Sequence, residues 1–168
     1  MRVSRSPLPD IVSPEQRNRM MAGIRGKDTK PEMILRKGLH ALGFRFRLHD
    51  RKLPGTPDLV FPRYKAVIFI HGCFWHGHDC HLFRLPGTRT EFWRSKIERN
   101  RAVDVRSVMA LRSSDWRVGT VWECAIRGRE RIPLEVVLET CASWLKSDVA
   151  ELEIRGSSER TVAEPVPS

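Results

Sequence analysis

Long apolar runs are missing from these 168 residues. No stretch of about 18 apolar residues exists, so nothing reads as spanning a membrane. The opening residues, MRVSRSPLPD, lack the apolar segment of a secretory signal. No lipidation motif or amphipathic basic helix offers a route to a membrane surface. Internal repeats and a low-complexity core are also missing. Acidic residues are in deficit, 20 Asp and Glu against 30 Lys and Arg, for a formal charge of +10. Cysteine is scarce. In the soluble, intracellular setting that these features predict, Cys73, Cys80, Cys124 and Cys141 are not expected to form disulfides. Metal binding and simple burial are the two remaining readings for them.

The charge itself is informative. Self-repulsion opposes folding, so such an excess gains the fold nothing. A polyanionic partner, DNA or RNA, is the usual reason for it. Residues 1–40 alone carry nine Lys or Arg against four Asp or Glu.

Punctuation along the chain predicts one domain with tails. Residues 1–12 read as a flexible arm. Ser13-Pro14-Glu15-Gln16 carries the signal of a helix start, ending near Gly23. Thr29-Lys30-Pro31-Glu32 repeats that signal and opens a helix with Ile34, Leu35, Leu39 and Leu42 on one face, stopped by Gly43. Phe44–Leu48 alternates at period two, as a strand with one wet face does. Leu59–Phe61 and Ala66–Ile70 read as a hairpin turned by Pro62–Lys65. The second strand is apolar throughout and fit for a sheet centre. Such a hairpin delivers Asp58 and His71 to one end. Thr88-Arg89-Thr90-Glu91 reads as a third capping box, opening a long helix through Trp93, Ile97, Val105, Val108 and Leu111. Trp116–Trp122 is a further strand, and Pro133 opens a last helix through Trp144 and Leu145. Residues 13–146 form the domain, and 147–168 read as an acidic, Ser- and Pro-rich disordered tail. This order predicts a mixed α/β fold with helices on both sides of a sheet.

Chemistry concentrates in His71–Cys80, HGCFWHGHDC. Cys73, His78 and Cys80, with Cys124 beyond the later strand, offer three thiolates and one imidazole. That is the composition of a closed, structural zinc site with no position for water. A buried apolar thiol at Cys124 is the competing reading. Cys141, on an apolar helix face, reads as core. A carboxylate at Asp58, beside the strand leading to His71 and His76, suits Mg²⁺ with proton transfer by imidazole. A turn aspartate is the plainer alternative. Glu32 reads as a capping glutamate. Trp75 sits among polar residues, whereas Trp93, Trp116, Trp122 and Trp144 read by default as core.

Four segments carry a resemblance: PGTPDLV (Pro54–Val60), VIFIHGCFWHGHDC (Val67–Cys80), TRTEFW (Thr88–Trp93) and VWECAIRGRE (Val121–Glu130). Together they resemble the very-short-patch mismatch repair endonucleases, in unbroken order over residues 13–145. The resemblance implies a fold related to type II restriction enzymes, a mixed central sheet flanked by helices with a structural zinc site. It implies a Mg²⁺-dependent nick 5′ to the thymine of T:G mispairs that arise when 5-methylcytosine deaminates. By position, Asp58 would be the Mg²⁺ carboxylate, with the backbone carbonyl of Ile70 beside it. His76 would activate water and His71 would contact the scissile phosphate. Glu32 would support the histidine and a metal-bound water. Cys73, His78, Cys80 and Cys124 would bind zinc, and Phe74, Trp75 and Trp93 would wedge into the helix beside the mispair. Ile70 stands where threonine is usual in the family. The acidic-x-lysine element of related folds is missing, with histidine chemistry in its place. The implied partner is mispaired duplex DNA, met by a cytoplasmic monomer on the nucleoid. A companion cytosine-5 methyltransferase and other mismatch-repair proteins would be linked to it by function. A general or restriction-type nicking nuclease of the same fold, and a non-catalytic zinc module that binds DNA, are the alternatives.

Overall fold

The structure, a computed structural model, describes residue 15 and residues 27–157. The expected arm at 1–12 and most of the expected helix at 13–23 lie outside the described residues, as do residues 158–168. Helix α1 spans Lys30–Ala41, α2 Thr90–Ser113, α3 Glu123–Ile126 and α4 Leu134–Leu145. The strands are β1 Arg47–Leu48, β2 Leu59–Phe61, β3 Ala66–His71, β4 Arg117–Trp122 and β5 Glu151–Ile154. They lie side by side in chain order as one sheet. β1, β2 and β3 pair antiparallel, while β3, β4 and β5 pair parallel.

Side-chain alternation along β3 sorts the core into two layers. Ala66, Ile68 and Ile70 pack with Leu35 and Leu39 of α1 and with Val137, Cys141 and Trp144 of α4. Val67 and Phe69 face the other way and pack with Leu111 of α2. The same alternation puts His71 and, one residue before β2, Asp58 on the α2 side. The result is a mixed α/β fold with its sheet covered on both faces, as the sequence predicted. Cys141 is buried in the first layer, as expected of a core thiol.

The start of α1 follows its cap. Thr29 accepts a hydrogen bond from the Glu32 amide at 3.4 Å. Four expectations are corrected. First, α2 has no capping box: Arg89 precedes it in a left-handed conformation (φ 52°) and no side chain caps it. The Thr90 hydroxyl instead donates to the Pro86 carbonyl at 2.9 Å. Second, Val105 is 59% exposed. The inward line of α2 runs through Ile97, Asn100, Asp104, Ser107 and Leu111 at helical spacing, and its polar members face a cleft. Third, the first strand is only two residues long, because the Phe44 amide donates to the Leu39 carbonyl at 3.1 Å and its ring turns into the core.

Fourth, the C-terminal tail does not begin at Ser147. β5 extends the sheet along β4, pairing Val118 with Glu151 and Val121 with Ile154. Ile154 is buried among the first-layer residues. Arg117 fixes the approach to this strand. Its guanidinium donates to the carbonyls of Tyr64, Trp144 and Leu145 at 2.9–3.0 Å and of Val149 at 3.3 Å. A cation there also meets the negative end of α4. Arg117→Met keeps the stem and removes every donor. It is expected to cost about 2 kcal/mol of stability, read as a lower urea midpoint with unchanged slope.

Candidate active site and metal centre

The ends of β2 and β3 open onto a cleft walled by the start of α1 and the inward face of α2. The turn before β2 presses on α2. A side chain at Gly55 (φ 73°) would meet Ser107 at 2.7 Å, so glycine is required there. Asp58 follows, and its Oδ2 accepts from the Ile70 amide at 2.7 Å. Burial pushes the Asp58 carboxyl up to about 7, and the nearby Glu32 adds to the rise. A cation beside it would favour the charged form instead.

His71 and His76 stack with ring centroids 3.8 Å apart. Asp104 Oδ2 lies 2.5 Å from His76 Nδ1 and 3.9 Å from His71 Nδ1. A carboxylate on Nδ1 assigns the proton to that nitrogen and leaves Nε2 of His76 free to accept one. Burial, reinforced by His76, pulls His71 down to about 3, so it is neutral at pH 7. Glu32 is 3% exposed. Its Oε2 accepts from the Asp28 amide at 2.9 Å and lies 3.5 Å from His49 Nε2. Among the described residues no hydrogen bond or ion pair joins Glu32 to His71 or His76.

Cys73, His78, Cys80 and Cys124 bring their ligand atoms within 4.8 Å of one another. Zinc bonds of about 2.3 Å to sulfur and about 2.1 Å to nitrogen make a tetrahedral S···N edge of about 3.6 Å. Cys124 Sγ and His78 Nδ1 are 3.6 Å apart. Burial pushes the Cys73 and Cys124 thiols up, so these groups give up their protons only to a cation. The set fits a structural zinc ion, which would tie the His71–Cys80 segment to α3. The Gly156 amide, just past β5, donates to Cys124 Sγ at 3.3 Å. Trp122 stacks on His78, centroids 4.0 Å apart, and meets His71 edge-on at 5.3 Å.

Phe74, Trp75 and Trp93 form one half-buried aromatic group, with centroids 5.2–6.0 Å apart. The Asn100 amide donates to the Trp75 carbonyl at 2.8 Å, and Lys96 Nζ lies over both indoles. Trp144 is core, whereas Trp122 serves as the plate between the metal set and the histidines.

A model of the DNA mismatch endonuclease Vsr family matches residues 9–82. The DNA mismatch endonuclease Vsr of Escherichia coli is 43% identical over 147 residues, 88% of this chain and 94% of the relative. This chain belongs to the Vsr family. Type II nicking enzymes are related to a similar degree. V.XorIIP of Xanthomonas oryzae is 50% identical over 119 residues, 71% of this chain and 88% of that protein. V.NmeAIP of Neisseria meningitidis is 40% identical over 122 residues, 73% and 87%. The protein is therefore an endonuclease, a phosphodiester hydrolase acting on DNA.

Within this Vsr-family cleft, the structure brings Asp58, Ile70, His71 and His76 together, and Glu32 lines the same cleft. Two residues escaped the sequence reading. Asp104 lies among many charges on a basic helix, yet it shares the inward line with Ile97 and Leu111. His49 lies just past β1, and only the strand register brings it to Asp58. The C-terminal strand is the third omission, because Gly156 supports a metal thiolate. A side chain at Gly156 would meet the Cys124 carbonyl at 2.6 Å and the Glu130 carbonyl at 2.8 Å. Gly156→Val is expected to release zinc faster to a chromogenic chelator and to melt at a lower temperature. Cys124→Ser is expected to reduce bound zinc from one equivalent to near none by elemental analysis.

Proposed function

We propose that this chain nicks double-stranded DNA 5′ to the thymine of T:G mispairs, the product of 5-methylcytosine deamination, by Mg²⁺-dependent phosphodiester hydrolysis. The observation that carries the reading is the dyad of His76 and Asp104 at 2.5 Å, sharing a cleft with the half-buried carboxylate of Asp58. A non-catalytic DNA-binding module has no use for that arrangement.

Asp58 and the Ile70 carbonyl are the groups that would hold Mg²⁺. A carboxylate driven up by burial, with a charge deficit that a cation relieves, suits such an ion. Bound there, Mg²⁺ would polarise the phosphate and neutralise developing charge. The chain's own groups account for the rest. Nε2 of His76 takes a proton from the attacking water, and Asp104 holds the ring and stabilises the imidazolium. Neutral His71 donates a hydrogen bond to the scissile phosphate. Lys27, Lys30, Lys96 and Arg127 line the cleft and suit a polyanion.

The aromatic group is the reader of the mispair. Separating a base step costs a few kcal/mol, and stacking on a ring returns about 1–3 kcal/mol per base. A wobble pair lowers the cost, so mispaired duplex is favoured over matched. The metal set matters because a loop already fixed wastes little binding energy on ordering. Flanking bases that match the site of a companion cytosine-5 methyltransferase complete the proposed substrate. A general nicking activity is the second reading, since several relatives carry that name.

Duplexes with T:G in several methylase contexts, beside matched controls, decide between the two. The expected result is one nick, 5′ to the mispaired thymine, and matched duplex cut at an equal rate would refute the mismatch reading. Asp58→Ala is expected to abolish nicking while mismatch binding persists, and His76→Ala to slow turnover by about 10²–10⁴-fold. Trp75→Ala is expected to lower the mispaired-to-matched affinity ratio at least tenfold. An unchanged ratio in a gel-shift titration would reduce the ring to packing.

A further inference from the structure

The wall of the cleft across from the zinc-linked segment has its own organising group. His49 follows β1 in a left-handed conformation, φ 46°. For a residue with a side chain that conformation is uncommon, and it persists where the surroundings over-determine it. Here they do. The His49 amide donates to the Asp58 carbonyl at 3.2 Å. The ring then turns in below the first turn of α1. Its Nδ1 lies 3.6 Å from Oδ1 of Asp58, and Nε2 lies 3.5 Å from Oε2 of Glu32 and 3.8 Å from Oδ1 of Asp28. These are ion-pair distances between one imidazole and three carboxylates.

The carboxylates are not equivalent. Asp28 already pairs with Arg36 at 2.8 Å, and it is exposed. Glu32 and Asp58 are the inner pair, one on a helix and the other at the head of a strand. No hydrogen bond links them directly among the described residues, and like charges this close repel. The imidazole of His49 lies between the two, within ion-pair reach of both but hydrogen-bonded to neither, and its buried Nε2 has no hydrogen-bond partner among the described residues.

We propose that His49 is a positioning residue of the nicking site, whose imidazole holds the helix-borne Glu32 and the strand-borne Asp58 at one fixed spacing and so preforms the oxygen set offered to a hydrated divalent cation. This rests on the reading of Asp58 as the cation carboxylate. In this reading the imidazole acts through Glu32 and Asp58. Its action is to spare the cation the work of drawing two repelling carboxylates together, the effect by which outer groups raise metal affinity.

The test uses the full, zinc-loaded chain and its His49→Ala, His49→Gln and Asp58→Ala variants. Mn²⁺ binding to the free protein is read from the electron paramagnetic resonance of unbound Mn²⁺. Nicking of T:G duplex is read across a Mg²⁺ titration. Melting temperature and mismatch affinity are measured without added divalent ion. His49→Ala is expected to weaken Mn²⁺ about tenfold and to raise the Mg²⁺ needed for half-maximal nicking by a similar factor. Mismatch affinity and melting temperature stay near those of the parent. His49→Gln, whose amide nitrogen keeps two hydrogen-bond donors, is expected to recover most of the loss. Unchanged Mn²⁺ affinity in His49→Ala overturns the proposal. So does a loss that tracks falling melting temperature and mismatch affinity, because that is the behaviour of a strut. Unchanged Mn²⁺ affinity in Asp58→Ala removes the cation assignment and this proposal with it. A parent that binds Mn²⁺ but leaves T:G duplex intact defeats the mismatch reading alone, and the Mn²⁺ comparison between parent and His49→Ala then still decides this one.

Discussion

The hydrogen bond from the Ile70 amide to Asp58 Oδ2, at 2.7 Å, ties the head of β2 to the end of β3. A buried carboxylate without such a donor would not stay in place, since desolvation alone costs several kcal/mol. Everything else in the cleft is arranged around this fixed point. Strand alternation sends His71 to the same side as Asp58, and the following segment folds back to lay His76 on His71. The turn at Gly55, seated on Ser107 of α2, holds the approach to Asp58 from behind. Helix α2 then supplies Asp104 from the line that also packs Ile97 and Leu111. The cleft is the place where a sheet edge and one helix face converge.

The metal set and the cleft are mechanically one object. Cys73 lies two residues past His71, and its amide donates to Glu123 at 3.2 Å. Glu123 in turn pairs with Arg127, which lines the cleft. Trp122 closes the connection from the other side, stacked on His78 and edge-on to His71 and His76. Its indole N–H donates to Glu153 at 2.9 Å, so β5 braces the plate as well as the thiolate of Cys124. Loss of metal would therefore loosen three things together: the stacked histidines, the aromatic group and the C-terminal strand. A structural ion in such a place acts on chemistry through geometry alone.

Local signals were legible, and those that depend on distant partners were not. The Thr29 cap, the apolar β3 and the hairpin turn at Pro62–Lys65 follow from residues within a few positions of one another. The zinc set was only half legible: composition offered it beside a buried thiol at Cys124, and the resemblance favoured it, because the spacing of Cys73, His78 and Cys80 does not show that Cys124 joins them. Asp104 pairs across 28 residues with His76, and nothing at position 104 distinguishes it from its charged neighbours except helical phase. Val105 shows the same gap from the other side, an apolar residue one step off the inward line. β5 was hidden by composition, since acidic and small residues surround it. The alternation of Leu152 and Ile154 between glutamates was the one strand signal, and an edge strand shows it only weakly. His49 was hidden by conformation, because its proposed role depends on a left-handed backbone that nothing in the neighbouring sequence signals.

Recognition and reaction are assigned to different surfaces of one loop, which constrains how selectivity arises. Phe74 and Trp75 lie between Cys73 and His76, so the proposed wedge and the proposed base are separated by one or two peptide units. Rings that enter a stack at a weak pair would fix the duplex relative to His76 within the span of those units. Rings resting on an intact stack would leave the phosphate displaced from it, and misplacement of about 1 Å can cost 10²-fold. Under the proposed reading the aromatic group contributes to rate as well as affinity. Discrimination between mispaired and matched duplex is then expected to be larger in turnover than in binding, because the same deformation that admits the rings also aligns the bond to be cut.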